Sequence, residues 1–160
     1  MEAERLIATG RHALAESRVA LDIVAEAWQA QALAQAMGSR LALSGPMELR
    51  GEARGLSEIG GARGAAGVPR AAQLTAIGDA RVALTALGAL LGEVGIALVG
   101  VACATDEEGL YWQCIEAIDA ADEAGDRVRA MLRRLAVRER ERERDRPPDP
   151  ARGRAGPGSG

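Results

Sequence analysis

The chain has 160 residues, 48% of them hydrophobic, with a net charge of −3, which suffices for one core, falls short of two comfortable domains and excludes wholesale disorder. Phe is absent, Tyr occurs once and Trp twice, and the abundant Ala and Leu suit helices while leaving little to build a pleated sheet. Residues 1–126 hold 9 Arg against 18 acids and residues 127–160 hold 11 Arg against 5 acids, so the acidic body disfavours a phosphate backbone and argues against a nucleic-acid partner.

Residues 2–16 place Leu6, Ala13 and Leu14 at roughly helical spacing. The stretch Ser17–Leu21 holds no Gly or Pro, so the sequence leaves open whether this helix joins the next. From Leu21 to Leu43, Ile23, Ala27, Ala30, Ala34, Met37 and Leu41 recur at steps of three or four, and Val24 and Trp28 widen the stripe. Ser44-Gly45-Pro46 stops that helix and restarts the chain, with Glu48 placed to meet the dipole of a short helix over Met47–Ile59. Gly60–Pro69 is rich in Gly and Ala and reads as a flexible loop.

A long helical pattern follows from Ala71 to Ala104, through Leu74, Ile77, Leu84, Leu87, Leu91, Val94, Leu98 and Val101. Thr105-Asp106-Glu107-Glu108 has the form of a capping box and predicts a tight αα-hairpin turning near Ala104–Asp106. The last helix carries Leu110, Cys114, Ile115, Ile118, Ala121, Val128, Met131, Leu132 and Leu135 on one side. It runs on as an ion-paired extension over Arg138–Arg146, with Glu139–Arg142 and Glu141–Arg144 at i,i+3. Pro147-Pro148 ends it, and the Pro/Gly/Arg tail to Gly160 cannot bury apolar surface and is expected to be disordered. The expected fold is all-α: an antiparallel bundle of four to five helices over residues 1–146, with a tail over 147–160.

No segment carries a catalytic, nucleotide or metal motif, so no cofactor is expected. Within Val82–Ala104, Glu93 is the only charge in 23 residues, and Gly88 and Gly92 form a small-xxx-small pair. The length would span a bilayer, but a mid-helix carboxylate and the acids of the next turn disfavour insertion, and a core helix with close glycine contacts accounts better for the pattern. Glu93 itself is expected either on a buried Arg partner or on the outer face of a dimer. Arg50, Arg54 and Glu58 stand at i,i+4 steps beside the glycine loop. They are the candidate binding residues outside the core, with intrahelical ion pairing as the plainer alternative. The cluster Glu116, Asp119, Asp122, Glu123 and Asp126 could offer oxygens to a hard cation, but His12 has no matched ligand spacing, and a solvated acidic face is expected. Tyr111, Trp112 and Trp28 are expected to pack, with Trp112 sealing the bundle end. Two cysteines cannot make a disulfide framework, and both are expected as small buried hydrophobes. No apolar leader precedes the first helix, so the expected compartment is the cytoplasm.

The stretches Glu26–Gln35, Glu48–Ile59 and Gly92–Asp122 resemble a family of short uncharacterised actinomycete proteins of unknown function. The resemblance covers about residues 2–138 and implies a high-GC bacterial source, in keeping with 20 basic residues that are all Arg. It brings no activity and no site residues. The residues themselves point to a cytoplasmic interaction or regulatory module, with a protein partner or a second copy bound through Ala/Gly-rich helix faces. A membrane-associated protein using residues 82–104 is the second reading, and a small-ligand or metal-binding enzyme the third.

Overall fold

The computed structural model describes residues 1–59 and 67–150. Among them are five α-helices, α1 (Ala3–Glu16), α2 (Ala20–Ser44), α3 (Arg50–Glu58), α4 (Ala80–Ala104) and α5 (Glu108–Asp145), with 3-10 turns at Met47–Leu49 and Arg70–Gln73. The fold is all-α, as the composition requires. The glycine loop expected over Gly60–Pro69 lies mostly outside the described residues, as does the tail from residue 151 onward. Pro147–Pro150 are exposed and carry no helix.

α1 and α2 are separate helices. Ser17 and Val19 both take extended backbone angles, and the Ser17 hydroxyl donates back to the Ala13 carbonyl at 2.8 Å, closing the first helix. α2 then runs through the middle of the molecule and touches α1, α3, α4 and α5. It shares the central position that the sequence assigned to α4 alone. Its alanines let neighbours approach: Ala27, Ala30 and Ala34 are buried. At Gly38 an added Cβ would lie 2.8 Å from both the Ala53 carbonyl oxygen and the Ser57 nitrogen, so α3 rests directly on α2 backbone.

The long helix read from Ala71 begins only at Ala80. Residues 74–77 are not helical, and Leu74 is buried from extended chain. Gly78 takes φ +62°, a left-handed conformation costly to a residue with a Cβ. Asp79 then caps α4, accepting from the Arg81 and Val82 amides at 2.9 and 3.2 Å. Gly78-Asp79 was the legible stop-and-start signal in this stretch.

The α4–α5 hairpin turns where expected, but the capping box does not close. Thr105 ends α4, and its hydroxyl accepts from the Glu107 amide at 3.1 Å. α5 starts at Glu108 with no side-chain cap. The acids of the turn therefore act on the dipole only through Glu108 in the first turn.

The helices are not all antiparallel to their neighbours. Residues 2 and 76 form a parallel bridge, with the Ala3 amide donating to the Ala76 carbonyl at 2.9 Å and the Thr75 amide to the Met1 carbonyl at 3.0 Å. Farther along, Gly10 faces Leu90 and Arg11 binds Glu93. α1 thus runs parallel to α4, since its start is fixed beside the segment that feeds α4. α2 opposes both. α3 opposes α2, with Gln35 Nε2 donating to the Ile59 carbonyl, and it opposes α5, with Glu52 meeting Arg127 and Glu48 meeting Arg138.

The core is built mainly from Leu and Ala, with Ile, Val and Met: Ile7, Met37, Leu49, Leu56, Leu84, Leu87, Leu98 and Met131 are fully buried. Its one buried polar residue among the described residues is Gln31, 2% exposed.

Candidate functional site

α4 presents two unlike faces. Leu84, Leu87, Leu91, Val94 and Leu98 are buried against the other helices. The outer side carries Val82, Thr85, Ala89, Gly92, Ile96, Val99 and Cys103, all exposed. These positions follow steps of three and four, so they form one straight stripe along the whole helix. No charge interrupts it, and Ile96 is 76% exposed. An added Cβ at Gly92, Gly95 or Gly100 would meet nothing within 4 Å, so these glycines do not serve contacts inside the monomer. The sequence expectation of a shielded core helix is corrected: only 39% of its most apolar window is buried, because the other helices cover α4 on one side only.

Glu93 borders this stripe. Its carboxylate accepts from Arg11 Nε at 3.1 and 3.0 Å and also from the same guanidinium's Nη2. Both side chains are about half exposed. The bond and the facing charge raise the Arg11 pKa above its ordinary value. Glu93 therefore has its Arg partner, but on the surface. The pair lines a shallow groove of ≈ 600 Å³ between α1 and α4, with His12, Leu14 and Ala97.

The Arg50, Arg54 and Glu58 candidates do not form the i,i+4 pairs that their spacing allows. Arg50 Nε donates to the Gly45 carbonyl at 3.4 Å, and no ion pair joins these three among the described residues. All three are exposed, because the opposite side of α3 packs on α2 and α5. The ionic contacts of this region use the other acids. Glu52 accepts from Arg127 at 3.0 Å and lies 3.9 Å from Arg134, and Glu48 accepts from Arg138 at 3.1 Å. Between them and Arg133, Val137 and Glu141 lies a groove of ≈ 550 Å³ with a mixed-charge rim. No sequence signal pointed to this groove, since its walls come from helices far apart in the chain.

α5 is 38 residues long, roughly 57 Å at the usual helical rise. Its first half, residues 108–126, has six acids and no Arg; its second half, residues 127–146, has nine Arg and four acids. One exposed line passes from Asp119, Asp122 and Asp126 to Arg129, Arg133 and Arg140. Asp126 and Arg129 pair at the point where the sign reverses. The expected pairs Glu139–Arg142 and Glu141–Arg144 are not formed; Glu139 binds Arg81 of α4 instead and clamps the open end of the hairpin. Among the described residues no three His, Cys, Asp or Glu side chains converge as a metal group would require.

Trp112 does not seal the bundle end. It is 57% exposed, with Tyr111 edge-on at 5.3 Å between ring centroids. Trp28 is half-buried against the core. Cys114 is fully buried, whereas Cys103, expected inside as well, stands exposed on the α4 stripe. Burial raises the Cys114 thiol above its ordinary pKa.

No curated protein and no solved structure matches the chain. A family model described as a family of unknown function matches residues 1–134, spanning all five helices up to the last turns of α5. The chain belongs to that family, DUF6099.

Proposed function

We propose that the protein is a non-catalytic helical interaction module that self-associates through the outer face of α4. The observation that carries this reading is the uncharged, exposed stripe from Val82 to Cys103. A soluble helix normally turns charged residues to water, and a contiguous, mostly apolar strip left open is costly unless a partner covers it. The acidic body supports a protein partner over nucleic acid. Two free thiols, one of them exposed, fit a reducing compartment, which we take to be the cytoplasm of a high-GC bacterium.

Light scattering over a protein concentration series tests the reading. A mass that rises from one chain toward two supports it, and a single-chain mass at millimolar concentration refutes it. A lipid surface is the second reading, favoured by the 25-residue length and apolar character of α4. Against it stand Glu93 and Arg11 at mid-stripe and three acids at the following turn, which an anionic bilayer would repel. Single-chain mass in water combined with co-sedimentation on phosphatidylcholine vesicles would favour lipid.

A further inference from the structure

We infer that the second copy docks antiparallel, α4 against α4, about a two-fold axis at the level of Gly92, with each α5 setting its acidic half against the basic half of the other. This rests on the self-association proposed above and specifies its geometry. Two independent features locate the same axis.

The first is steric. The α4 stripe runs from Val82 to Cys103, and its midpoint falls beside Gly92, where an added Cβ would meet nothing within the monomer. The absence of a side chain at the centre lets two helix backbones approach closely. A single helix pair falls short of the roughly 800 Å² per partner of a standard interface, so the flanking helices must contribute. The buried face of α4 is flanked by α1, whose Gly10 faces Leu90, and by α5, whose Val128 faces Gly88.

The second is electrostatic. Gly88 of α4 faces Val128 of α5, so in their antiparallel register Gly92 lies level with α5 residues near Ala124. The charge of α5 reverses between Asp126 and Arg127, within one helical turn of that level. A two-fold axis across the helices at this height sets Asp119 of each copy level with Arg129 of the other and turns the acidic half of each α5 toward the basic half of its partner. Two acid-to-base contacts form per dimer, related by symmetry. A parallel pairing would instead put the acids Asp106, Glu107 and Glu108 of the two copies at the same end, where like charges oppose association. The axis also brings the two Arg11–Glu93 pairs side by side, so each carboxylate gains a second guanidinium.

Cross-linking and charge exchange test the geometry. In the antiparallel dimer the two Cys103 thiols lie roughly 30 Å apart along the helices, so a short thiol cross-linker should leave the wild-type protein uncoupled. Val82→Cys should couple strongly, the introduced thiol of one copy joining Cys103 of the other. Asp119→Arg/Asp122→Arg and Arg129→Glu/Arg133→Glu should each weaken association at least about tenfold, and an equimolar mixture of the two should recover it as a heterodimer. Gly92→Leu, which meets no neighbour at Cβ in the monomer, should keep the helical circular dichroism and lose the dimer. Coupling through Cys103 in the wild-type dimer, or charge-reversed variants that still self-associate at wild-type strength, would overturn the antiparallel geometry and leave self-association standing. A wild-type protein that stays a single chain overturns both.

Discussion

Gln31 is enclosed in the core of α2, and neither atom of its amide has a hydrogen-bond partner among the described residues. Its neighbours in sequence behave differently: Gln29 accepts from the Arg70 amide at 3.0 Å, and Gln35 donates to the Ile59 carbonyl. Those two glutamines tie the start and the middle of the α3–α4 connection to α2, while Gln31 carries an uncompensated desolvation cost of about 1–3 kcal/mol. Gln31→Met, close in shape and without the amide, is expected to raise unfolding free energy by about 1–2 kcal/mol in urea titration. Cys114 gives a second residue-scale expectation. Burial lifts its pKa, so the folded chain holds the thiol proton more tightly than the unfolded chain does. Its contribution is complete below the ordinary thiol range, about pH 8.5, and is lost as pH climbs through the raised value. Wild-type stability should therefore fall more steeply than that of Cys114→Ala across this alkaline range.

Among elements, helix identity was legible and helix junctions were not. α2 follows its apolar spacing closely, whereas in α5 Cys114, Ala121, Val128 and Met131 are buried as read but Leu110, Ile115, Ile118, Leu132 and Leu135 are only half-buried and Ala117, Ala124 and Gly125 fill the contact instead. The 71–79 segment misled, since Leu74 and Ile77 fall on a helical period while lying in non-helical chain; the period cannot distinguish a buried helix turn from a short buried extended segment. Gly78 and Asp79 carried the correct boundary. Asp79→Ala is expected to cost about 1 kcal/mol through the lost cap, measurable as a lowered denaturation midpoint. At the α2–α3 crossing, Gly38→Ala drives a methyl into α3 backbone and is expected to cost about 1–3 kcal/mol, read in the same titration. The candidate site was half legible. Glu93 stood out as the one charge in an apolar helix, but its position on the rim followed only from the placing of α1. Arg50, Arg54 and Glu58 have intrahelical spacing without intrahelical bonds; all three stand exposed, and the ionic contacts around α3 come from α5.

Over the whole molecule, ion pairs between elements ring the bundle. Arg11–Glu93, Arg70–Glu26, Arg81–Glu139, Arg127–Glu52 and Arg138–Glu48 each join two segments distant in sequence. Most are well exposed, so they fix register more than they add stability. Beyond the last of them, residues 140–145 of α5 are exposed. Their amides are expected to exchange with deuterium well before those of Leu84–Leu98. Equal protection of the two segments would show a cover over the end of α5.

The parallel bridge between residues 2 and 76 also sets an order of events during synthesis. α1 and α2 can close on each other once α2 is complete at Ser44, but α1 reaches its final register only when the segment around Ala76 has been made. At roughly 5–20 residues per second that interval is on the order of 2–6 s. Throughout it, Leu6 and Ile7, buried in the finished protein, lack part of their cover. The nascent chain thus passes through a period with its first helix half-docked.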